Sequence, residues 1–453
     1  MKDSPFQFPK EWKDNPWMPF SWLITSLKPT SSSITWQISN KNPTQEITDS
    51  NIATWKSAGA HAVHHLWHHS PTEFNVKISS KKKHWNAYWN GWFLAIDAIW
   101  RDTPVLQRNH STKTIFISNL PISTEDFEIE KCWADATIWV RTIQNCPSNM
   151  RSPLSLSKLF SSILSKLKDT KVQSYSSDST FLQSWGGIQS IHQGAHTHPA
   201  YLFIAEYQPT SKKTPTLIIG KGVNFDTGGL SLKKPKQMEL MRMDLSGALC
   251  AIAILIATAY LQLPQPITVL TPLVDNLLGS HSLLPGSVIT LYGGKTIEVV
   301  DPDAEGRILL AEASQYASKH YPNHEVILMG TLTGQIDSVG DGLYSALFRD
   351  KSSQDKWSEA AEKSQELVWD CPLQKAFIPL LYSNIADYVN SNENMKADML
   401  WCGVFLKQFW TSKMPWSYID LTGIIKTPFE ILWNPKTGHG VGVALIREYL
   451  TQK

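Results

Sequence analysis

From Tyr201 onward the chain alternates short apolar runs with longer segments of helical period. The runs "YLFIAEY" (201–207), "TLIIG" (216–220), "ITVLTPLV" (267–274) and "EVILMGTL" (325–332) enclose helix-length stretches that follow Asp244 and Arg307. Apolar runs without strict alternation predict strands buried on both faces, and their interleaving with helices predicts βαβ units. The expected fold is therefore α/β: a carboxy-terminal α/β domain with a mixed, mostly buried sheet flanked by helices, plus a smaller amino-terminal α/β domain.

That smaller domain is assigned to residues 1–130, where periodicity fades apart from "WFLAIDAIW" (92–100) and "TKTIFISNL" (112–120). Apolar spacing from Trp133 to Thr142 and from Pro153 to Leu167 predicts a helical linker over 131–165, leaving 166–453 as the main domain. The Ser/Thr-rich patches "PTSSS" and "SYSSDST" are expected loops, and no internal repeat is visible.

Composition narrows the class. A length of 453 residues suggests about two to three domains. With 42% hydrophobic and 18% charged residues, disorder is excluded for most of the chain. Lys and Arg number 42 against 40 Asp and Glu, so no field exists to gather polyanions, and no nucleic acid partner is expected. The five cysteines, Cys132, Cys146, Cys250, Cys371 and Cys402, are odd in number and lack any CxxC spacing, which favours a reducing, cytoplasmic setting. "MKDSPFQFPKEWKDNPWMPF" mixes charge and proline where a signal peptide needs an apolar core. The uncharged run Leu245–Leu263 is Ala-rich and follows Asp244, so it reads as a buried core helix and not as a membrane span.

Three clusters carry candidate chemistry. In "VVDPDAEGRILL" the charged residues Asp303, Glu305 and Arg307 are spaced by two, about 200 degrees apart on a helix, so they converge only if the segment is extended or looped. "GKGVNFDTGGLSLKK" places Lys221 and Asp226 after a strand and a glycine pair before Lys233. "MELMRMDLSGALCAI" puts Asp244 at the start of the long apolar helix, where an acid either caps the helix or faces a pocket.

Each cluster falls at a strand end or helix start, where open α/β sheets bind ligands. Brought together, Asp226, Asp244, Asp303 and Glu305 need counter-charge, and two divalent cations would supply it. Oxygen ligands without His or Cys suit manganese, magnesium or cobalt, and zinc also accepts carboxylates. A cation pair about 3.5 to 4 Å apart activates water for hydrolysis.

The stretches Gly220–Lys233, Met241–Gly247, Asp303–Arg307 and "TLTG" (331–334) closely resemble the leucyl aminopeptidase, or cytosol aminopeptidase, family. "SIHQGAHTHPAYLFIAEY", "SNIADY", "FLKQFW" and "PWSYIDLTG" extend the resemblance over roughly residues 130 to 450. It implies a dimetal exopeptidase that releases single amino acids from peptides with a free amino terminus. Lys221, Asp226, Asp244, Asp303 and Glu305 fall on the family's metal ligands, with manganese or zinc foremost and magnesium or cobalt as alternatives. Lys233 falls on the position that holds the scissile carbonyl, and Arg307 on the one that anchors a bicarbonate acting as general base. Met241, Asn276, Thr331 and Gly334 would line the pocket for the first residue. A homohexamer in the cytoplasm, without a membrane, completes the implication.

The chain departs from the family pattern at Asp301-Pro302, which adds a carboxylate beside the cluster, at Ser246–Leu249, and in "NSNENMKADMLW". A dimetal phosphoesterase and a non-catalytic interaction or DNA-binding scaffold are the alternative functions. In "HAVHHLWHHS", His61, His64, His65 and His68 share helical spacing, but His65 stands where a zincin HExxH needs Glu, so the segment is expected to be amphipathic and not a metal site. Asp337 and Asp341 are expected to be solvated loop acids, and Met238 and Met243 core residues.

Overall fold

A computed structural model describes residues 4–8, 56, 60, 73–77, 85–102, 114–118, 123–195, 198–350, 354–392, 394–424 and 438–452. The His-rich segment 61–68 lies outside the described residues.

In chain order the elements are β1 (Glu73–Lys77), α1 (Trp85–Asp102), β2 (Thr114–Ser118), α2 (Thr124–Gln144), α3 (Pro153–Leu164), β3 (Thr170–Ser176), α4 (Gly186–His192), β4 (Tyr201–Tyr207), β5 (Thr216–Gly220), β6 (Gly222–Asp226) and α5 (Ser246–Tyr260). They continue with β7 (Ile267–Asn276), β8 (Ser287–Thr290), β9 (Thr296–Val299), α6 (Glu305–His320), β10 (Glu325–Gly330), α7 (Gln335–Gly340), β11 (Tyr344–Arg349), α8 (Gln354–Ser364), β12 (Leu367–Asp370), β13 (Tyr388–Val389), α9 (Asp398–Lys407), β14 (Trp416–Asp420) and α10 (Val443–Thr451).

Nine strands form one mixed sheet in the order β12-β11-β14-β10-β5-β7-β4-β3, with β6 also pairing β7. The centre, β14-β10-β5-β7, is parallel, while β4 pairs antiparallel with β7 and β3 antiparallel with β4. Every residue of β5, β7 and β14 is buried, which is why their sequences do not alternate. The fold class is α/β as the pattern predicts.

Helices cover both faces. One core joins α5, α2, α3 and α10 to the sheet through residues such as Leu249, Ile252, Trp139, Phe160 and Ile446. The other joins α6, α4 and α9 to the opposite face through Leu309, Ile188, Trp401 and Phe405. The segment expected as a linker is thus helical and packed into the first core. Its Arg141 also pairs with Asp97 of α1 at 3.2 Å, joining the described amino-terminal helix to this layer.

The stretch Pro235–Tyr260 is apolar and long enough to cross a membrane, yet 83% of its most apolar window is buried inside the protein. All of α5 except Tyr260 is buried, so it is a core helix. All five cysteines are free and buried.

Candidate metal centre and active site

The three clusters meet at the carboxyl end of the parallel strands. Lys221 sits between β5 and β6, its amide donating to the Met329 carbonyl and its carbonyl accepting from the Ala248 amide, both at 2.8 Å. Those two backbone bonds fix the residue against β10 and α5. Its Nζ lies 2.8 Å from Asp244 Oδ2 and 2.8 Å from Glu305 Oε1, and donates to the Thr331 carbonyl at 2.8 Å.

Asp226 ends β6 beside the end of β7, in register with Asn276. Its Oδ1 accepts from the Gly228 amide and from Asn276 Nδ2, both at 2.8 Å, and its Oδ2 lies 2.8 Å from Lys233 Nζ. Gly228 and Gly229 both have positive φ, 85° and 59°, and that left-handed turn brings Lys233 back over Asp226. Lys233 also pairs with Asp303.

Asp244 precedes α5, whose cap is Leu245. It is turned into the shared pocket, where its Oδ1 accepts from the Thr331 hydroxyl at 2.6 Å. Glu305 opens α6 and Asp303 lies in the turn before it, so the spacing by two is looped only between these two, while Arg307, already inside the helix, pairs with Asp398 instead. Gly306 leaves room for the lysine: a Cβ there would come within 2.5 Å of Lys221 Cε.

Asp226, Asp244 and Glu305 each offer a carboxylate oxygen within 4.8 Å of the others, and none is more than 4% exposed. Glu305 Oε2 is buried without a hydrogen-bond donor. Four carboxylates face only two ammonium groups, so the donor set fits divalent cations. Burial drives the electrostatics: it raises the pKa of Asp244 and Glu305 despite Lys221, and pushes Asp303 up to about 7 with help from Asp226. Burial alone would lower Lys221, but Asp244, Glu305 and Asp226 outweigh it and raise the pKa; Lys233 is raised likewise by Asp226, Glu305 and Asp303. Use of Lys221 as a neutral ligand therefore rests on cations displacing its proton.

Arg307 is paired with a residue outside the three clusters. Its guanidinium, 4% exposed, makes a two-pronged pair with Asp398, at 2.9 and 3.0 Å, and lies 5.4 Å from the centre of the Trp401 ring. The fork expected to hold bicarbonate is thus filled by a side chain of this protein, and the residues do not fit that anion as they stand.

The residues expected to line a substrate pocket have distinct surroundings. Met241 sits half-buried in the 3-10 turn before Asp244. Gly334 caps α7 and has open space where a Cβ would be. Thr331 and Asn276 contact the candidate ligands directly, Thr331 through Asp244 and Lys221, Asn276 through Asp226 and the Pro302 carbonyl.

Supporting residues that local sequence gave no reason to choose come from distant segments. Asn390 accepts from the Val300 and Asp301 amides and donates to the Asp301 carbonyl, pinning the loop before Glu305. Asp301 accepts from the Asp303 amide at 2.9 Å, so it organises that loop and is not part of the three-carboxylate group. Asp420, at the end of β14, accepts from the Leu332 and Thr333 amides and from the hydroxyls of Thr333, Tyr418 and Thr422. Asp337, expected in a loop, lies in the first turn of α7, and Asp341 follows it with a left-handed backbone.

Residues 138–447 match the cytosol aminopeptidase family, catalytic domain. A probable cytosol aminopeptidase of Rickettsia rickettsii (strain Sheila Smith) is 32% identical over 341 residues, covering 75% of this chain and 68% of that protein. One from Rickettsia canadensis (strain McKiel) is 32% identical over 340 residues, with the same shares. The fold is also similar to that of bottromycin maturation enzyme BotP in complex with Mn, with TM-score 0.77 and 24% identity, covering 88% of this chain and 87% of that one.

Proposed function

Because the chain belongs to the cytosol aminopeptidase family and is a metal-dependent hydrolase of that kind, we propose that it removes single amino-terminal residues from peptides using two divalent cations. In this reading Lys221, Asp226, Asp244, Asp303 and Glu305 would hold the cations. Manganese or zinc are the preferred occupants, and magnesium or cobalt would also suit the oxygen-rich set. Divalent cations held there supply Lewis acidity: they acidify water, polarise a carbonyl and accept a free amine as ligand.

The chain's own groups do the rest. Lys233, held as an ammonium by Asp226 and Asp303, stabilises negative charge on the scissile carbonyl oxygen. Asn276 and the Gly228 amide orient Asp226, so that carboxylate needs no rearrangement during reaction. Beside Gly334 there is room for the first side chain of the substrate, with Met241 as an apolar wall. Substrates are peptides with a free amino terminus, and the active form is a cytoplasmic homohexamer with neither membrane nor nucleic acid as partner. Residues 1–130 are assigned to a smaller amino-terminal α/β domain, whose described helix α1 is tied to the main layer through Asp97 and Arg141.

The observation that carries the reading is the convergence of three buried carboxylates and Lys221 within one pocket, with Glu305 Oε2 unsatisfied. The test is a panel of aminoacyl substrates on protein stripped of metal and reloaded with manganese, zinc, magnesium or cobalt. Activity restored by none of the four on any aminoacyl substrate would overturn it.

A further inference from the structure

We propose that Asp398 occupies the anion position on Arg307 that the family resemblance assigns to bicarbonate, and that this chain works with that built-in carboxylate and takes no bicarbonate there. The inference rests on the aminopeptidase reading for its role in turnover, but its structural half stands independently.

Arg307 and Asp398 are 91 residues apart, yet Nη1 meets Oδ1 at 2.9 Å and Nη2 meets Oδ2 at 3.0 Å. That parallel geometry uses the guanidinium fork as a carbonate or carboxylate would. The pair is built. Asp398 is the first residue of α9, where the helix terminus favours negative charge. Trp401, one turn on, lies against the guanidinium. The start of α9 is clamped to the site loop, since Gln335 accepts from the Met399 amide at 2.8 Å and donates to the Lys396 carbonyl. A carboxylate held this way acts at an effective concentration far above that of a dissolved anion.

Arg307 itself is buried, whereas the Asp398 side chain is 31% exposed, so one edge of the carboxylate stays accessible. In turnover it is the proton acceptor. A water O–H bond breaks as the oxygen bonds to the carbonyl carbon, and the proton goes to Asp398. The same proton passes to the leaving nitrogen as the C–N bond breaks. Asp398 ends ionised as it began, and peptide plus water becomes amino acid plus the shortened peptide.

The experiment uses the full chain loaded with manganese in decarbonated buffer, titrated with sodium bicarbonate by calorimetry, with turnover measured in parallel. The wild type should show no binding heat and no change in rate. Asp398→Ala should lose about a hundredfold in kcat, within the range of a lost general base. It should also bind bicarbonate, recover rate with it saturably, and lose both in the Asp398→Ala/Arg307→Met double variant. Bicarbonate binding or several-fold acceleration in the wild type overturns the proposal, as does an Asp398→Ala protein that keeps its rate or binds no bicarbonate. If Asp398→Ala does not fold, Asp398→Ser serves: it also empties the fork, and it should lose rate, bind bicarbonate and recover rate with it. An Asp398→Ser protein that binds no bicarbonate overturns the proposal. Wild-type protein inactive on every peptide would sink the aminopeptidase reading while leaving the binding result interpretable.

Discussion

Asn276 Nδ2 donates to Asp226 Oδ1 at 2.8 Å and to the Pro302 carbonyl at 3.1 Å, tying the end of β6 to the loop that carries Asp303 and Glu305. An amide in this place orients a candidate ligand from behind. Asn276→Ala should weaken metal affinity about 10- to 100-fold, the usual cost of losing such a partner. Metal titration calorimetry checks it; unchanged affinity with altered choice of amino-terminal residue would instead make Asn276 a pocket wall.

Gly306 faces the Lys221 side chain so closely that an added Cβ would lie 2.5 Å from Cε and 2.6 Å from Leu332 Cδ2. Gly306→Ala should cost about 1 to 3 kcal/mol of stability through overpacking. It should also displace Lys221 and cut kcat far more than it raises KM. Urea unfolding and steady-state kinetics on the same preparation separate the two effects.

Removing one candidate ligand should remove both metal and activity. For Glu305→Gln or Asp226→Asn, elemental analysis should find fewer than two equivalents bound, and peptide hydrolysis should be abolished. Full activity in Glu305→Gln would refute the ligand assignment.

Asp420 holds the loop that presents Thr331 to Asp244 and Lys221 through the Leu332 and Thr333 amides and the Thr333 hydroxyl. Asp420→Asn puts an amide group where donors already converge, and should destabilise by about 1 to 3 kcal/mol. Thr333→Val, which removes one donor and keeps the amides, should cost about 1 kcal/mol with a smaller fall in kcat/KM. Chemical denaturation ranks the pair.

Glu312 lies buried on α6, accepting from the amides of Gly187 and Tyr292 at 3.0 Å and of Ile188 at 2.9 Å. Burial nevertheless pushes its pKa up to about 7 from an ordinary 4.5. The folded state then binds the proton more tightly than the unfolded state does. This group's contribution is fully present below about pH 4.5 and is lost as pH rises to about 7. Melting temperatures of wild type minus Glu312→Gln, measured from pH 4 to 8, should fall across that window and level off above it. A rising difference would show the carboxylate to be stabilised in its charged form.

The chain's pattern alone determined a good deal. Short unbroken apolar runs such as "TLIIG", interleaved with helix-length segments, read as strands covered on both faces, and the charged residues that follow them are then left at the sheet's carboxyl edge. The charge clusters at strand ends and helix starts pointed to that edge, where the structure brings Lys221, Asp226, Asp244 and Glu305 together. What only the tertiary structure decided is which distant groups brace them. Asp398 meets Arg307 across 91 residues, Asn390 pins Asp301 across 89, and Asp420 grips Thr333 across 87. Hydrogen-bond partners of this kind carry no periodicity and no local spacing. They are fixed by strand order and by how α9 packs over the site, so they emerge only once the sheet is assembled.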